Sequence, residues 1–122
     1  MILSMKHHYL QVRKILDYAP VVLADRNWDE CFIWMLLRLK LARCERYFRN
    51  DGITVGHIRQ ADQIRTCVLL LDRLIANAYW QPSFGEFSKK TYLALYYDDY
   101  MICQDMQYLF KLLMKHMRSW WD

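Results

Sequence analysis

The sequence predicts an all-α protein, a single antiparallel helical bundle of about four helices spanning residues 1–122 as one domain. Breakers are scarce: three glycines and two prolines occur in 122 residues, whereas an all-β domain needs a turn roughly every ten residues. Apolar residues recur at spacings of three and four along long segments, the period of a helix with one buried stripe. Hydrophobic residues make up 55% and aromatics 16% of the chain. That supplies one sizeable core and excludes the aromatic-poor composition of disordered proteins.

The first helix is expected from Ser4, a candidate cap, to Tyr18, with Tyr9, Val12, Leu16 and Ala19 on one stripe. Pro20 is expected to stop it, because proline lacks the backbone donor a helix interior needs. Val21 to Asn27 then reads as a connector, with its VVL run open to being a short extended segment or a helical turn. The second helix is expected from Trp28 to Arg49, capped by Asp25 or Asn27, with Asp29 and Glu30 facing the positive end of its dipole. Rotation at 100° per residue gathers Ile33, Trp34, Leu37, Leu41, Cys44 and Phe48 into its core arc. In its first half Phe32, Met35, Leu36 and Leu39 lie off that arc, so this half is apolar on all sides. Helix one or the connector covers that second face, or it is open to a partner or a symmetric dimer.

Asn50-Asp51-Gly52 stops the second helix. A third helix is expected from after Thr54 to Tyr79, burying His57, Ala61, Ile64, Val68, Leu71, Ile75 and Tyr79. Gly56 implies a loose first turn. Trp80 to Phe87 reads as the one long loop. A fourth helix is expected from Ser88 to Arg118, with Leu95, Ile102, Met106, Leu109 and Leu113 as its seam and Phe110 and Met117 beside it. At roughly 45 Å that helix is long enough for a break near Asp98-Asp99 to be weighed. The short link after the second helix makes the second and third an antiparallel pair.

The cysteines, Cys31, Cys44, Cys67 and Cys103, are far apart and contain no CxxC pair. They read as buried free thiols in a reducing compartment rather than a disulfide scaffold or a zinc site. No stretch approaches the roughly eighteen apolar residues of a membrane span, and charge follows the short apolar start of the chain at once. A soluble, cytoplasmic protein without a membrane partner is expected.

No constellation of residues carries a catalytic, cofactor or metal signature. Asp98 and Asp99 are adjacent, so on a helix they point about 100° apart and make a poor metal pair. Glu30, Glu45 and Glu86 are too few for an all-α nucleotide pyrophosphatase, and no Arg–His pair has the spacing of a HEPN-type nuclease. His57 falls on a core face and reads as a satisfied histidine. Surface features remain. The formal net charge is +4, and Lys40, Arg43, Arg46 and Arg49, with Arg38 at the edge, form a basic arc on helix two. Such an arc suits carboxylates or successive phosphates, although part of it can be neutralised locally, as Arg49 by Glu45. Tyr92, Tyr96 and Tyr100, four residues apart, share a helix stripe suited to an interface or to the core boundary. Trp120 and Trp121 either fold back over the end of the bundle or insert into a partner.

The opening WDECF of helix two, the middle NDG turn and the terminal RSWWD after LLMKHM resemble small helical proteins encoded by bacteriophages and related mobile elements. Those families have no assigned catalytic residues. The resemblance implies a protein that works by stoichiometric binding, the class to which inhibitors of host immunity such as anti-CRISPR proteins belong. The expected function is therefore non-enzymatic: binding that blocks or scaffolds a host protein or ribonucleoprotein complex, with homodimer formation in view. The alternative is a small nucleic-acid-binding module that uses the same basic arc.

Overall fold

The computed structural model describes residues 2–28, 30–76 and 89–120, with side-chain surroundings in the last helix from residue 96 onward. Four α-helices follow in order: α1 (Ile2–Leu23), α2 (Cys31–Asn50), α3 (His57–Ala76) and α4 (Lys89–His116), the last running into a 3-10 turn at Met117–Ser119. Among the described residues there is no strand, and the helices pack as an all-α bundle. No described helix is long and apolar enough to cross a membrane.

The α2–α3 pair is the centre of the bundle. Trp34, Leu41 and Phe48 are buried on α2. Seven residues complete nearly two helical turns, so these three stack along one line. They meet Ala61, Ile64, Cys67, Val68, Leu71 and Leu74 of α3. Ion pairs Arg49–Asp62, Glu45–Arg65 and Arg38–Asp72 advance along α3 as they retreat along α2, which makes the two helices antiparallel. Leu109 and Leu113 of α4 close the same core, with Ile102, Met106 and Leu112 partly buried beside them. Arg73 meets Asp105 at 3.1 Å and Trp120 meets Gln63 at 3.0 Å, so α4 runs antiparallel to α3.

The turn between α2 and α3 shows why Asn50-Asp51-Gly52 ends a helix. Asp51 donates its N–H to the Tyr47 carbonyl at 2.8 Å. A Cβ on Gly52 would lie 2.6 Å from both the Phe48 carbonyl oxygen and the Cβ of His57. Gly56, with φ +94°, provides the left-handed residue just before α3. His57 Nδ1 lies 2.6 Å from the Phe48 carbonyl oxygen. A carbonyl only accepts, so Nδ1 carries the proton and donates it. His57 is thus the satisfied core-edge histidine its position implied.

Several expectations need correction. Helix α1 continues through Pro20 to Leu23. A proline removes one donor, here the one that would meet the Leu16 carbonyl. Pro20 and Leu16 are exposed, so water can take that carbonyl. Helix α2 starts at Cys31 without a side-chain cap, neither Asp25 nor Asn27 serving. Ile33 is 58% exposed, because eight residues of rotation leave it about 80° from Leu41. Helix α4 is continuous past Asp98-Asp99. Of the four free cysteines only Cys67 is buried, and Cys103 is exposed. Tyr79, the segment 80–87 expected as an aromatic loop, and the Leu95 side chain lie outside the described residues.

The second apolar face of α2 is covered in part. Phe32, Met35, Leu36 and Leu39 are half-buried, and α1 packs against α2. Arg43 fastens the two helices, pairing with Asp17 and resting 5.6 Å over the Tyr18 ring. The attachment is confined to the end of α1: every residue from 3 to 17 is exposed, and Tyr18, Ala19 and Val21 are half-buried.

Candidate interaction surfaces

The basic arc of α2 is largely occupied within the chain. Arg38 is paired with Asp72 and Arg43 with Asp17. Arg49 contacts Glu45 at 3.2 Å and Asp62 at 3.1 Å. Its hydrogen bond to Asp62, joined by the one to Glu45, raises its already high pKa. Lys40 and Arg46 are exposed and make no ion pair among the described residues. Being six residues apart, they point about 120° from one another. The arc therefore divides into three arginines that clamp helices together and two separated free cations.

The tyrosine stripe leads to a longer feature. Tyr96 is 73% exposed and Tyr100 also faces solvent; the side chain of Tyr92 lies outside the described residues. Continuing at alternate steps of three and four, the same face of α4 carries Cys103, Gln107, Phe110 and Met114, and Met117 follows in the 3-10 turn. All are exposed, Met114 at 81%. Asp105 and Leu109, which meet the core, lie about 180° and 140° from the middle of this ridge, and buried Leu113 borders it. Cys103, Met106, Gln107, Phe110, Lys111 and Met114 line an open, mostly apolar groove along it. Phe110 holds one edge of the groove, its ring 6.0 Å from that of buried Trp34. The aromatic positions on this face can be read from the sequence, but that reading puts Phe110 and Met117 beside the core seam and Cys103 among buried thiols. By helical rotation Phe110 lies about 60° and Met117 about 40° from buried Leu113, a difference that periodicity resolves poorly.

Trp120 folds back. It packs against the core and donates its indole N–H to Gln63 at 3.0 Å, while Gln60 donates to the Ser119 carbonyl at 2.7 Å. Trp121 lies outside the described residues. A second groove, between α3 and α4, is lined by Leu70, Arg73, Met101, Gln104, Asp105 and Tyr108. Its acid, Asp105, is buried and paired with Arg73 at 3.1 Å, which gives this contact a holding role between the helices. Among the described residues no group of three or more His, Cys, Asp or Glu is placed to hold a metal ion.

A third surface comes from α1. Tyr9, Val12 and Leu16, expected in the core, are exposed together with Met5, Ile15 and Leu23. The periodicity was legible, but its direction was not. A stripe shows that a helix has an apolar face and does not say which neighbour covers it. Comparisons with protein-family models, with curated proteins and with solved structures found no match for this chain.

Proposed function

We propose that the chain is a non-enzymatic binding protein and that the outward ridge of α4 is its partner-binding face. One observation carries this: Tyr96, Tyr100, Phe110, Met114 and Met117 lie exposed in one row, with Cys103 and Gln107 between them, along the outward side of α4 and the turn that follows it. Exposed apolar patches beyond roughly 300–600 Å² are unusual on monomers and mark interaction sites. Tyrosine and methionine are enriched in such interfaces, the first as a rigid anchor with a polar tip and the second as an adaptable filler. In the bacteriophage setting implied by the sequence resemblance, the partner is a host macromolecule in the cytoplasm, a protein or an immunity ribonucleoprotein complex, which the chain blocks or scaffolds. Lys40 and Arg46 then contribute long-range steering rather than contact energy.

Neutralisation of Arg38, Arg43 and Arg49 within the chain weighs against the nucleic-acid alternative, since a phosphate-binding face needs several uncommitted cations. The discriminating experiment compares wild-type chain with Tyr96→Ser/Tyr100→Ser and with Lys40→Glu/Arg46→Glu in affinity purification from the native host, alongside gel shifts on DNA and RNA at low salt. The proposal expects a discrete partner that is lost with the tyrosine variant, slowed in capture with the charge variant, and no gel shift. Retention of every partner by the tyrosine variant, or a salt-sensitive shift removed by the charge variant, overturns it.

A further inference from the structure

The α1 helix presents a problem that the α4 binding face does not solve. Helices in proteins take most of their stability from packing an apolar face, yet residues 3–17 are all exposed. The apolar residues of α1 are also not scattered, and in the row they form only Ala19 is half-buried, the others being exposed. Met5, Tyr9, Val12, Leu16, Ala19 and Leu23 follow one another at steps of four and three throughout, the spacing of a coiled-coil seam. Leu16 is 65% and Leu23 85% exposed. Asp17 and Tyr18, which fasten α1 to Arg43 of α2, point away from this seam. The bundle thus holds α1 by its back and turns the seam outward.

We infer that the seam of α1 is the interface of a symmetric homodimer, formed by antiparallel packing against α1 of a second copy. A strict alternation of four and three fits a helix of the same period better than a flat or grooved surface. Self-pairing in antiparallel sense also matches volumes. With the two-fold axis beside Lys14, Tyr9 faces Ala19 of the other copy, Met5 faces Leu23 and Val12 faces Leu16. Large side chains thereby oppose small or flexible ones in every layer. Ile15 meets its own counterpart on one edge of the seam, extending the apolar contact. Arg13 meets its counterpart on the other edge. The seam and Ile15 together expose several large side chains at half or more of their full area, on the order of the ~800 Å² per partner that a stable interface requires. The inference rests on α1 alone and is independent of the α4 ridge.

The Arg13 pair gives the test its sign. Like charges across the interface oppose association, so added salt and the variant Arg13→Ala should each tighten the dimer several-fold. An acidic partner or an anionic lipid surface in this place would be weakened by both. Sedimentation velocity over a range of concentrations should show conversion from 15.0 kDa to twice that mass. Val12→Glu/Leu16→Glu, at positions exposed in the monomer, should remain at the monomer mass with unchanged helicity. On a Cys103→Ser background, Ile15→Cys should cross-link to its counterpart under mild oxidation and Val22→Cys should not, since only the former lies by the axis. A wild-type monomer at the highest soluble concentration overturns the inference. So does equal cross-linking at positions 15 and 22, the mark of a parallel pair. So does capture of the monomer by phosphatidylserine vesicles that Arg13→Ala abolishes.

Discussion

Gly52, Cys67 and Asp105 each hold the bundle by a different kind of force. Gly52 allows close approach, since any Cβ there collides with the Phe48 backbone carbonyl and with His57. Gly52→Ala is expected to cost about 1–3 kcal/mol, read as a lower urea midpoint with unchanged slope. Asp105 is buried against Arg73. Removing the arginine takes away the 3.1 Å ion pair of this buried carboxylate, so Arg73→Ala should cost more than surface ion pairs do, about 1–3 kcal/mol in the same melt. Burial pushes the Cys67 thiol up to about 11 from an ordinary 9.0. The neutral form is thus favoured by folding. Its contribution is complete below pH 9, and it is lost as pH rises through about 11. Cys67→Ala should flatten that alkaline loss, measured as unfolding free energy against pH. In the native chain exposed Cys103 should react with a small maleimide first, and Cys67 only on unfolding.

Helices α2 and α3 form a conventional pair; α4 buries one face and leaves another apolar face open, while α1 attaches only near its end and leaves its apolar stripe in solvent. This sets the limit of what was legible in the sequence. The spacing of Ile64, Val68 and Leu71 identified a buried α3 face correctly, because that helix packs within the chain. The spacing of Tyr9, Val12 and Leu16 is just as regular, but these residues face solvent. A periodic stripe reports the need for a partner and is silent on whether the partner is the same molecule. The ion pairs Arg38–Asp72 and Arg43–Asp17 join residues 34 and 26 apart in the chain. Without a fold to bring them together, only a local pairing such as Arg49 with Glu45 could be named, and the arc stayed open between a solvated, paired face and a binding one. Pro20 was misjudged for a local reason: near an exposed helix end its missing donor is easily replaced by water. Pro20→Ala should therefore extend α1 helicity and stabilise it by less than the ~3 kcal/mol of an interior proline, seen as a small gain in circular dichroism and melting temperature.

Taken as one molecule, the chain is a rigid α2–α3 core with an apolar seam on each outer helix. A chain of 122 residues and 55% hydrophobic content has enough apolar side chains to fill that core and still display two rows of them. The outward ridge of α4 is the feature on which its function is proposed to rest, and Cys103 lies within that ridge as a natural probe. The most direct measurement is the rate of maleimide reaction at Cys103 in the purified chain and in the complex recovered from the native host. The account predicts rapid reaction in the chain alone and at least tenfold protection in the complex. Equal rates in both would contradict it, because the partner would then be bound somewhere other than the α4 ridge.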